Sequence, residues 1–96
     1  MGRRNEYQNL IAFHPGIYVE ELIEETNLSQ AELAQRLGIT EQTISRLIDG
    51  DEPINQDLAR RLADFSGISL QTWLNLQAKY DDKVAEIEAK QKKDNF

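Results

Sequence analysis

The chain has 96 residues, 40% of them apolar and 29% charged, with a formal net charge of −6 and no cysteine. That length fits one domain, and the apolar share is too high for a wholly disordered chain. No apolar run approaches the ~18 residues that span a bilayer, none of signal-peptide length follows Arg3-Arg4, and the absence of cysteine excludes disulfides, thiol nucleophiles and thiolate metal sites.

Residues 1–13 read as an irregular N-terminal arm, because no stretch alternates with the period of two that a half-buried strand needs. His14-Pro15-Gly16 opens the first helix, where the missing N–H of proline has no intrahelical partner to lose. Val19, Leu22 and Ile23 form one face of it and Glu20, Glu21, Glu24 and Glu25 the other, ending near Thr26-Asn27. Ser29, with Glu32 three residues on, makes a capping box for the second helix. That helix turns Leu33, Ala34 and Leu37 inward and stops at Gly38. Thr40 caps a third helix, with Ile44, Leu47 and Ile48 inward and Gly50 at its end. Asn55 caps a fourth, with Leu58, Ala59, Leu62 and Ala63 at core spacing, closed by Gly67. Ser69 caps a fifth that carries Trp73, Leu74, Leu76, Tyr80, Val84 and Ile87 and outlasts the globule; residues 89–96 read as a polar tail. The predicted fold is all-α, with five helices and an extended C-terminal helix over residues 14–88.

The informative stretch is residues 30–49, QAELAQRLGITEQTISRLID. Two helices of about eight residues, joined by a short turn containing glycine, have the form of a helix-turn-helix, whose helices cross at about 90–120°. Ala34 is small where the two must approach, Gly38 reverses the chain without strain, and Ile44 and Leu47 fill the wedge. The opposite face of the third helix then presents Glu41, Gln42, Ser45, Arg46 and Asp49, with Thr43 at its margin. A helix of this size fits the major groove. Gln42 and Arg46, four apart, are neighbours on one face. Glutamine reads adenine bidentately and arginine reads guanine. Glu41, Gln42, Thr43, Ser45 and Arg46 are the candidate base-reading residues, against the plainer alternative of a solvated face with Arg46 paired to Asp49. Candidate phosphate contacts are Gln30, Thr40, Asn55 and Gln56, at or beside the free backbone N–H groups that start the second, third and fourth helices. Arg3, Arg4, Arg36, Arg60 and Arg61 are further positive groups without an assigned place.

Other residues carry less. His14, the only histidine, lacks the partners of a zinc site and reads as part of the helix opening, so no metal and no cofactor is expected. The glutamates of the first helix have no nucleophile or base beside them and read as a solvated face, or as a surface for a basic partner. Tyr80, Val84 and Ile87 lie where the domain runs out of core, and this apolar stripe is expected to meet a partner, first of all a second copy of the chain.

The motifs HPG at residues 14–16, LSQAELAQRLGI at 28–39, TISRLIDG at 43–50 and WLNLQAKYD at 73–81 together resemble the HigA antitoxins of HigBA-type toxin–antitoxin modules. These are also called the VapI family, within the lambda-repressor-like (XRE-type) helix-turn-helix class. The resemblance covers residues 14 to about 81. It implies a dimer that binds an operator in its own promoter and neutralises a small basic mRNA interferase toxin, HigB. The sequence departs from the family at Asp49-Gly50-Asp51-Glu52-Pro53, where many relatives place a basic residue; this turn is expected to repel DNA. The leading expectation is a cytoplasmic, homodimeric, sequence-specific repressor of the antitoxin type, with near-palindromic half-sites about one helical turn apart. The competing one is a protein-interaction module with little DNA affinity of its own, towards which the acidic turn and the net charge of −6 lean. An enzyme would need a nucleophile or metal cluster that the sequence does not offer.

Overall fold

All five expected helices are present in the computed structural model of the chain, which describes residues 4–7 and 10–94: α1 (Gly16–Thr26), α2 (Gln30–Leu37), α3 (Glu41–Asp49), α4 (Gln56–Ser66) and α5 (Leu70–Asp94). Their starts follow from local hydrogen bonds. The Ser29 backbone N–H donates to the Glu32 carboxylate at 2.8 Å while the Glu32 N–H donates to the Ser29 hydroxyl at 3.1 Å, so the capping box is closed in both directions. Thr40 accepts from the Thr43 N–H, Asn55 from the Leu58 N–H and Ser69 from the Thr72 N–H. Each cap satisfies a donor that the first helical turn leaves free.

The inward positions read from the sequence meet in one core. Val19, Leu33, Ala34, Leu37, Ile44, Leu47, Leu58, Ala59, Leu62 and Trp73 are buried together, and Leu22, Ile23, Ala63, Leu74 and Leu76 pack half-buried against them. Two glycines set how closely the helices lock. Gly38 holds φ +74° in the turn between α2 and α3, a region costly for any residue with a Cβ. Gly16 lies so close to α3 that a Cβ built on it would land on the Leu47 carbonyl. The HPG motif is therefore a contact with the end of α3 as well as a helix opening.

Two features differ from the sequence reading. The irregular arm is a hairpin: β1 (Arg4–Tyr7) pairs antiparallel with β2 (Leu10–Phe13), Arg4 opposite Phe13 and Tyr7 opposite Leu10. A four-residue apolar run is too short to display alternation, and packing decides its state: both strands lie against α5. Ala12 faces inward at 1% exposure while Phe13 faces out at 51%, the alternation expected of a strand. Arg3 lies outside the described residues. The second difference is the length of α5, which continues through Asp94 rather than fraying beyond Glu88. Alanine, lysine and glutamine are good helix formers, and neither glycine nor proline interrupts that stretch.

Candidate nucleic-acid interface

Ile44, Leu47 and Ile48 commit one side of α3 to the core. On the other side Glu41, Gln42, Arg46 and Asp49 are exposed, and Thr43 and Ser45 are half-buried. Gln42 and Arg46 thus share the outer face, one helical turn apart. Thr43 is partly used within the chain, since its hydroxyl hydrogen-bonds that of Thr40 at 2.9 Å. Arg46 pairs not with Asp49 but with Glu52: its Nε donates to the Glu52 carboxylate at 2.9 Å. With side chains 53% and 30% exposed, such a pair contributes only about 0–1 kcal/mol, yet it gives the guanidinium a direction.

The acidic turn that carries Glu52 is held at several points. The Gly50 N–H donates to the Leu47 carbonyl at 3.1 Å and the Asp51 N–H to the Arg46 carbonyl at 2.8 Å. The Ile54 N–H donates to Gln77 Oε1 at 2.8 Å, and Gln77 Nε2 donates in turn to Asp81 at 2.9 Å. His14 holds the remaining side. Its Nδ1 accepts from the Gly16 N–H at 2.9 Å, which leaves the proton of the neutral ring on Nε2, and the ring lies near the Glu52 carbonyl. The ring is buried, and Tyr80 meets it edge-on with centroids 4.9 Å apart. Burial pushes the His14 imidazole below its ordinary value of 6.5, against the opposing pull of the Glu52 carbonyl and of Asp81 and Asp51. Sequence reasoning missed Gln77 and the wider role of His14, because their partners lie far away along the chain.

The expected phosphate contacts divide. Thr40 and Asn55 spend their side-chain oxygens on their own helix starts; what they leave towards solvent is the outer hydrogen-bonding capacity of each cap. Gln56 is exposed in the first turn of α4, and Gln30 is half-buried in that of α2. The Ser29 backbone N–H, and then its hydroxyl, hold the Glu32 carboxyl below the usual carboxylate range. Arg61 is not a loose positive group. It donates to the Leu37 carbonyl at 2.9 Å and the Gly38 carbonyl at 3.3 Å while pairing with Asp57 at 3.0 Å, and so braces the turn between α2 and α3. Arg36 and Arg60 are exposed.

Of the stripe assigned to a partner, one residue is covered within the chain. Ile87 is only 4% exposed within the single chain, because the hairpin covers part of α5 that the sequence left bare. Val84 and Tyr80 are half-buried. Among the described residues the exposed large apolar side chains are Phe13 and Tyr18, and they line a groove with Leu76, Tyr80, Lys79 and Lys83.

Residues 19–73 match the family described as helix-turn-helix, and the matched segment runs from α1 into α5. The chain belongs to the helix-turn-helix family. Among its relatives, the virulence-associated protein I of Dichelobacter nodosus is 38% identical over 76 residues, covering 78% of this chain and 70% of that protein. A putative antidote protein of a plasmid maintenance system from Nostoc punctiforme superposes with a TM-score of 0.83 at 32% identity, covering 88% of this chain and 92% of that one. The Pseudomonas aeruginosa antitoxin HigA, solved with the higBA promoter, superposes with a TM-score of 0.77 at 30% identity, covering 84% and 89%. This helix-turn-helix chain is a DNA-binding protein that closely resembles the HigA/VapI antitoxins. Among the described residues no group of three or more histidine, cysteine, aspartate or glutamate side chains is placed to hold a metal ion, and no helix is long and apolar enough to cross a membrane.

Proposed function

We propose that this chain is the antitoxin of a HigBA-type module: a homodimeric repressor that reads its own operator through α3 and neutralises a small basic mRNA interferase. The observation that carries the reading is the outer face of α3, where Gln42 and Arg46 stand exposed one turn apart, on a scaffold shared with an antitoxin solved on its own promoter. In this reading Gln42 and Arg46 are the main base readers, Glu41, Thr43 and Ser45 support them, and Gln30, Thr40, Asn55 and Gln56 position phosphates around the helix starts. Binding weakens steeply with salt as counterions are released.

The dimer face in this reading is the groove of Phe13, Tyr18 and Tyr80 rather than a stripe through Ile87. Lys79 and Lys83 border that groove, while Glu21 and Glu25 continue the exposed Tyr18 side of α1 at helical spacing. A surface with an apolar centre, lysines on one side and glutamates on the other suits a copy of itself under two-fold rotation.

The deciding experiment is a gel-shift titration with upstream intergenic DNA, against random duplex of equal length. The wild-type chain is expected to select the upstream DNA, and Arg46→Ala to lose that selection with helicity unchanged. Absence of any selective complex until a toxin is added would favour the interaction-module reading, to which the acidic turn lends its one specific argument.

A further inference from the structure

The turn after α3 carries acid where a DNA-facing surface calls for base, yet Glu52 is not simply a repelling charge: its carboxylate is engaged by Arg46 Nε at 2.9 Å. From this contact we infer that Glu52 is a positioning residue for base recognition, holding the Arg46 guanidinium by its inner N–H so that the two terminal amino groups point away from the protein as a fixed fork. The inference rests on the reading of α3 as the recognition helix and adds the residue that aims it.

Arginine reaches a guanine edge with two parallel N–H donors. A free arginine side chain samples many rotamers, and ordering it on binding opposes association. A carboxylate on Nε removes much of that freedom beforehand and leaves the end-on pair of amino groups as the available fork. Such aiming requires a rigid mount, and the chain supplies one. The neighbouring Asp51 N–H is bonded back to the Arg46 carbonyl at 2.8 Å, the Ile54 N–H is fixed by Gln77 from α5, and the buried His14 ring lies near the Glu52 carbonyl. His14 is itself tied to Gly16, which packs on the Leu47 carbonyl of α3. The HPG motif, the acidic turn and the outer face of α3 thus form one connected unit. This arrangement also fits the departure from the basic turn: the charge that weakens general attraction to DNA is the one that orients the selective contact.

Glu52→Ala and Glu52→Gln separate aiming from repulsion, because both remove the same charge while only glutamine keeps an oxygen that accepts from Arg46 Nε. The probes are a duplex selected from a random pool by the wild-type chain and an unselected duplex of the same length. Both variants are expected to bind the unselected duplex more tightly, by similar factors. Glu52→Ala is expected to lose about two- to fivefold in the ratio of selected to unselected binding, the most that pre-ordering by so exposed a pair confers, while Glu52→Gln keeps most of it. Nitrogen-15 relaxation of the Arg46 Nε–H in the DNA-free chain supplies a second readout: ordered in wild type and Glu52→Gln, mobile in Glu52→Ala, with backbone amide spectra otherwise unchanged. Equal ratios in all three proteins, or a ratio that rises in both variants, would overturn the inference, as would an Arg46 Nε–H equally mobile in all three. A wild-type chain that selects no sequence from the pool would instead overturn the base-reading function, and the relaxation measurement would still judge the hold of Glu52 on Arg46.

Discussion

His14 takes the Gly16 N–H on Nδ1, so a second proton would point at a group that already donates. Together with burial this favours the neutral ring, and the folded-state value lies below 6.5. The unfolded chain therefore takes up the proton first as the pH falls. Stability contributed by neutral His14 is complete well above 6.5 and declines as the pH drops through 6.5 towards the lower folded value. Urea midpoints measured between about pH 8 and about pH 5 should show this decline, and His14→Gln should flatten it while lowering stability throughout. Gly16 makes a steric prediction at the same place. Gly16→Ala sets a methyl on the Leu47 carbonyl and should destabilise the fold by about 1–3 kcal/mol, visible as a lower melting temperature; an unchanged one would mean that α1 and α3 do not approach as described.

The helices obey rules that operate within a few residues, and those rules are visible in the chain itself. Ser29 and Glu32 satisfy each other's backbone donors, so Ser29→Ala should cost about 1 kcal/mol, measurable by denaturant titration; a loss confined to a few tenths would show that α2 is set by packing alone. Gly38, Gly50 and Ile44 were readable for the same reason: a cap, a left-handed stop and an inward residue all lie within one or two helical turns. What the sequence hid depends on partners far along it. Arg61 reaches the Leu37 and Gly38 carbonyls across more than twenty positions, and a positive side chain carries no mark of such a commitment. Glu52 reads as a charge hostile to DNA until its distance to Arg46 is known. The hairpin escaped for a related reason, since Leu10–Phe13 owes its strand state to β1 and α5 rather than to its own pattern.

At the scale of the molecule, adding the hairpin to α5 moves the exposed apolar surface. Ile87 of the stripe is covered, and Phe13 and Tyr18 stand out instead. If two copies meet there, Phe13→Ser or Tyr18→Ser should shift the sedimenting species from dimer to monomer with little change in helicity, and operator binding should weaken because the two half-sites are no longer linked. A dimer unaffected by both changes would place the interface elsewhere. One side chain ties α5 to the turn beyond α3. Gln77 takes a hydrogen bond from Ile54 with its oxygen and gives one to Asp81 with its nitrogen. A carboxylate in its stead offers only acceptors, and an ammonium only donors. Gln77→Glu should therefore set two anions against each other at neutral pH and recover as acid returns a shared hydrogen to the pair, the reverse of the trend expected from His14. The position thus tolerates neither sign of charge, although an amide is easily mistaken in a sequence for filler.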